Sequence, residues 1–115
     1  MNNFEALLAR AEKYRSTARN LIDMPDYESS ASRSYYAMFY ATQAVLLTKG
    51  IETASHNGAI TLFSEHFVKT EIFPREMSRM LSRALAARQM GDYDIELSIS
   101  RETALQLWET STTFI

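Results

Sequence analysis

Cysteine is absent from the 115 residues, which excludes a disulfide framework, a thiol nucleophile and any zinc site built on thiolates, and points to a reducing compartment, the cytoplasm. Only three glycines and two prolines interrupt the chain, too few for the many turns that a sandwich or barrel of short strands needs. An excess of one charge is lacking as well. Fourteen acidic residues against 12 basic ones leave a formal net charge of −2, so any affinity for polyanions must come from a local patch. No run of about 18 apolar residues is present to span a bilayer, and the opening MNNFEALLAR lacks the basic and then apolar pattern of a secretory signal. The expectation is a protein that is soluble from its first residue.

What is present is the material of one domain, residues 1–115: 46% hydrophobic and 23% charged, the balance of a chain that folds around one core. Leucine, alanine, methionine, arginine and glutamate dominate between the few punctuating residues, which favours helices. A first helix is predicted over residues 4–24, capped by Asn2 or Asn3 and ended by Pro25, with Phe4, Leu7, Leu8, Ala11, Tyr14, Ala18, Leu21 and Ile22 as its apolar stripe. A second runs over residues 26–49 and stops at Gly50. A third follows the SHNG turn over residues 59–69. A fourth opens at Pro74, carries Met77, Met80, Leu81, Ala84, Leu85 and Ala87 inward, and stops at Gly91. A fifth is capped by Ser98 or Ser100 and buries Ala104, Leu105, Trp108, Thr112 and Ile115.

The second helix is unusual because SRSYYAMFYATQAVLLTKG carries large side chains around its whole circumference, where a covering helix needs only one apolar stripe. It is therefore expected at the centre of an all-α, up-and-down bundle of about five helices. Small residues at 31, 32, 34, 37, 41 and 44 let neighbouring backbones come close. Close packing leaves its tyrosine hydroxyls and one guanidinium in need of partners, which a polar cleft or a subunit interface supplies.

Taken together, ASRSYYAMFYATQAVLLTKGI, SHNGAITLFSEHFVKTEIFP, AARQMGDYDI and SRETALQLWETSTTFI stand in the order and spacing of the small HEPN-domain proteins of bacteria and archaea, which the chain resembles over about residues 5–115. The resemblance implies a four-helix core with a short extra helix, and a homodimer. It also implies a two-protein module with a minimal nucleotidyltransferase, in several cases a toxin and its antitoxin. Active members of the family carry an Arg-x4-6-His motif near the last helix that cleaves RNA without metal: imidazole handles the 2′-hydroxyl proton and guanidinium stabilises the phosphate. Here no arginine has a histidine five to seven residues onward. After Arg101 those positions hold Gln106, Leu107 and Trp108. The usual RNase motif is missing, so a nucleotide- or RNA-phosphate-binding component is the first expectation. A metal-independent RNase toxin with a displaced site, or a purely structural adaptor, is the alternative.

The residues offer a short set of candidates. His56 in the SHNG turn and His66 are the two histidines, and a displaced site would pair one of them with Arg88 or Arg101. His56 equally suits an ordinary capping turn. Neither histidine has a ligand-type partner four residues away, so no metal and no cofactor is expected. Arg75, Arg79 and Arg83 recur every four residues as a basic ridge, with Arg88 displaced round it, able to hold phosphates or simply to face solvent. Arg33 and Arg88 either pair with Asp92 or Asp94 as buried structural contacts or line a cleft with Tyr36 and Tyr40 where a base stacks; Tyr93 stacks there or packs.

Overall fold

The computed structural model describes residues 3–53, 55–93 and 99–114, with side chains described outside 87–93. These residues form five α-helices and no strand: α1 (Asn3–Asp23), α2 (Tyr27–Leu47), α3 (His56–Phe63), α4 (Arg75–Tyr93) and α5 (Arg101–Phe114). Their order and boundaries follow the sequence reading closely, and the fold is an all-α bundle.

The α1–α2 hairpin is its foundation. Pro25 cannot extend α1, and the Asp26 carboxylate accepts the Ser29 N–H at 3.4 Å to open α2. Ala11 and Ala18 of α1 are fully buried, as are Ser30, Ser34, Ala37 and Ala44 of α2, with Ala41 nearly so. On α2 these positions alternate at four and three residues and share one face, so the two backbones approach closely. The Ser30 hydroxyl fixes the register by donating to the Ala18 carbonyl at 2.7 Å. The rest of α2 is buried by the other helices: Tyr35, Met38, Thr42 and Leu46 are fully enclosed and Phe39 is 5% exposed. It touches α1, α3, α4 and α5, which is the central position its aromatic circumference predicts.

Three details differ from the sequence reading. The third helix begins at His56 instead of residue 59, because the Ser55 hydroxyl caps it by accepting the Gly58 N–H at 3.0 Å; it then widens into a π-helical turn over Ser64–Val68. A Cβ at Gly58 would stand 3.1 Å from the Ser55 Cβ, so a side chain there would crowd the cap. α4 runs through Gly91 to Tyr93, since a glycine within a helix costs only about 1 kcal/mol. On α5 the enclosed line is Ala104, Leu107, Ser111 and Phe114, whereas Leu105 and Trp108 are half-buried and Thr112 is exposed. The 3-4-3 spacing of that line was hidden by a serine, which hydropathy assigns to the surface. Ser98 and Ile115 lie outside the described residues. Ser100 supplies the cap, its hydroxyl accepting the Thr103 N–H at 3.1 Å.

Candidate functional site

On one side of the hairpin a cleft of about 480 Å³ opens between α1 and α2, lined by Tyr14, Glu28, Ser32, Arg33, Tyr36 and Tyr40 among others. Arg33, Tyr36 and Tyr40 stand three and four residues apart and so share a face of α2; Arg10 and Tyr14 do the same on α1. The rings meet edge to face, Tyr14 to Tyr40 at 5.1 Å and Tyr14 to Tyr36 at 6.3 Å between centroids. A guanidinium covers each end of the Tyr14–Tyr40 pair: Arg33 lies 4.9 Å from the Tyr14 centroid and Arg10 5.3 Å from that of Tyr40. Burial pushes the Tyr40 hydroxyl above its ordinary pKa, the hydrogen bond with Tyr14 adds to the shift, and Arg10 opposes it.

Arg33 is exposed and forms no ion pair among the described residues. Asp92 and Asp94, considered as its buried partners, have side chains outside the described residues; among the described residues Arg33 is exposed and lines the cleft with Tyr36 and Tyr40. Chemically the cleft offers ring faces, hydroxyls and the Arg33 guanidinium, with Arg10 over the adjoining Tyr40 ring, a set suited to a planar ring carrying a phosphate. Glu28 marks its far edge, where its carboxylate accepts the Ile99 N–H at 3.4 Å and ties the approach to α5.

His56 stands behind the same aromatic wall. Its Nδ1 lies 2.5 Å from the hydroxyl of the fully buried Tyr35, and its ring is 4.5 Å from Phe39 and 5.7 Å from Tyr36 by centroids. Tyr36 thus connects the histidine to the cleft. Arg101 stands exposed in the first turn of α5 and His66 sits in the π-helical turn, half-buried, its carbonyl accepting the Lys49 ammonium at 2.9 Å. The rings of Tyr35, Tyr36 and Phe39 of α2 stand against His56. The side chains of Arg88, Asp92 and Tyr93, and Asp94 entirely, lie outside what the structure describes.

The basic ridge is elsewhere. Arg75, Arg79 and Arg83 are exposed on α4, and Glu76 is shared by Arg79 at 3.7 Å and Arg83 at 3.5 Å. Among the described residues α4 packs against α2 without touching α1, so the ridge and the cleft are separate surfaces. The sequence reading grouped them. It also missed Arg10, and placed Tyr14 in the buried stripe of the first helix, where it is only half-buried; their four-residue spacing opposite a tyrosine-rich helix was the available signal. A second cavity of about 510 Å³ is lined in part by Leu7, Arg10, Gln43, Leu47 and Ile51, and Arg10 connects it to the cleft by lying over the Tyr40 ring.

A helical bundle with a tyrosine and arginine cleft on its central hairpin defines the class of protein. The model of the HEPN domain family matches residues 4–115, and the chain belongs to that family. It is 37% identical over 100 residues to a candidate toxin of Methanocaldococcus jannaschii, covering 87% of this chain and 68% of that protein. It is 42% identical over 87 residues to a UPF0332 protein of Gloeobacter violaceus, covering 76% and 69% respectively. A UPF0332 protein of Archaeoglobus fulgidus is 32% identical over 115 residues, the whole of this chain and 91% of the relative.

Proposed function

We propose that this chain is a toxin-type HEPN component that binds nucleotide or RNA phosphate in the α1–α2 cleft and acts in the cytoplasm together with a minimal nucleotidyltransferase. The supporting observation is Arg33, whose guanidinium lies over the Tyr14 ring beside Tyr36 and Tyr40 and forms no ion pair among the described residues. The toxin part of the reading rests on the names of the Methanocaldococcus relatives. The partner and a homodimeric state rest on the family resemblance. Tyr35, Met38 and Phe39 are buried within one chain, so a dimer interface would have to use other surfaces. Binding is preferred to cleavage because the Arg-x4-6-His spacing is absent and the Nδ1 of His56, the histidine that reaches the cleft wall, is engaged with Tyr35.

The test is fluorescence anisotropy of a labelled single-stranded RNA, with AMP as competitor, at low salt where phosphate contacts are strongest. Arg33→Ala and Tyr40→Ala are expected to weaken binding about tenfold each, as loss of a charged contact or a stacking ring does. Wild-type affinity in both variants overturns the cleft assignment. Co-purification with the product of the adjacent gene, scored for RNA cleavage before and after separation, tests the module.

A further inference from the structure

Between the π-helical turn and α4 the chain makes a turn that the cleft does not use. Glu71 adopts φ 63°, the left-handed region that side-chain-bearing residues seldom occupy. The turn is nonetheless held firmly: the Glu71 N–H donates to the Val68 carbonyl at 3.0 Å and the Phe73 N–H to the Phe67 carbonyl at 2.8 Å. Phe73 turns inward against Phe63 and Phe67, with centroids 5.9 and 5.8 Å away. The consequence is that Ile72, between two anchored residues, points outward with 55% of its surface exposed. It borders a concavity of about 590 Å³ that includes Val68, Pro74 and Arg75.

The basic ridge begins at that rim. Residues 69–83 carry four cations, Lys69, Arg75, Arg79 and Arg83, against two carboxylates, Glu71 and Glu76, in a chain whose net charge is −2. The arginines recur every four residues, a rise of about 6 Å each. Glu76 forms only exposed pairs with Arg79 and Arg83, which leaves both guanidinium groups open to a partner. We propose that Ile72 and the Arg75, Arg79 and Arg83 ridge form a docking surface for an acidic amphipathic helix of a partner protein. An apolar side chain of that helix seats against Ile72 and Pro74, and its carboxylates, spaced every fourth residue, meet the arginines.

Charge complementarity and the apolar rim decide the occupant. Ile72 and Pro74 are exposed at the head of the ridge, and protein interfaces combine arginines with an apolar anchor that phosphate contacts do not require. The repeat of the arginines matches the repeat of an opposing helix. The surface is separate from the α1–α2 cleft, so this inference does not depend on the binding proposed there.

The test uses a synthetic helical peptide of about 20 residues, long enough to hold helix, with glutamates every fourth residue beside a leucine stripe. A peptide of the same composition with that register scrambled serves as control. The full chain is expected to bind the first at least tenfold more tightly than the second. R79E/R83E and I72D are each expected to lose about tenfold in affinity with unchanged thermal unfolding, since these side chains are exposed, and a lysine version of the peptide should recover binding to R79E/R83E. Arg33→Ala should leave peptide binding unchanged, which keeps the two proposals separable. Equal affinity for the scrambled peptide overturns the proposal. So does single-stranded RNA that is lost from R79E/R83E but kept by I72D, or a self-associated state by sedimentation that I72D abolishes, since the surface would then belong to RNA or to a second copy.

Discussion

The Tyr35 hydroxyl lies 2.5 Å from Nδ1 of His56 and joins the centre of α2 to the first residue of α3 across 21 positions of sequence. Tyr35 is fully buried, so this bond answers how the central aromatic helix satisfies a phenol at its core. The Ser55 cap sets the position of His56, and the histidine in turn supports the ring wall that includes Tyr36.

Tyr35→Phe keeps the ring and deletes the hydroxyl. The expected cost is about 1 kcal/mol, the net worth of a protein hydrogen bond, read as a lower urea midpoint at unchanged slope. His56→Ala should cost more, since it also removes a ring packed 4.5 Å from Phe39. A Tyr35→Phe variant as stable as the parent would show that the contact contributes nothing.

The small-residue seam makes a prediction of opposite signs. The Ser30 hydroxyl is bonded to the Ala18 carbonyl, whereas the Ser34 hydroxyl, equally buried, has no hydrogen-bond partner among the described residues. Ser30→Ala is expected to destabilise by about 1 kcal/mol, and Ser34→Ala to be stabilising because a desolvated, unpaired group is removed without leaving a large cavity. Ala37→Leu would force the helices apart, at a cost of about 1–3 kcal/mol or more. Chemical denaturation of the three variants reads all of these outcomes.

Tyr40 gives the pH dependence. Its folded pKa is raised by burial first and by Tyr14 second. A phenol whose folded pKa exceeds its unfolded value favours the folded state less as it ionises. The associated stability is present below the ordinary tyrosine range, about pH 10, and is lost as pH rises through the folded value. Ultraviolet titration should show a late-ionising phenol contribution that Tyr40→Phe removes, and that variant should lose less stability than the parent in strong alkali. An unchanged titration curve in Tyr40→Phe would place the shift on another phenol.

Much of the bundle was legible because its signals are local. Pro25, Gly50 and Pro74 mark boundaries wherever they stand, and residues repeating at three and four positions declare a buried stripe. On α5 the reading slipped because Ser111 is small enough to sit at a helix contact and polar enough to look exposed. On α3 it began late because a histidine and an asparagine after the cap do not look like helix. The resemblance carried the family, which no periodicity could supply.

The sequence by itself determined the helical class, the central place of α2 and the missing Arg-x4-6-His spacing, since each follows from the order of residues along the chain. Only the tertiary structure decided which arginines share a surface. Arg10 and Tyr14 belong with Arg33, Tyr36 and Tyr40, and Arg75, Arg79 and Arg83 do not, because the antiparallel packing of α1 on α2 creates that cleft while α4 packs elsewhere. A helix's own period says which residues share its face. Which helix that face meets is fixed by the burial of side chains distant in sequence.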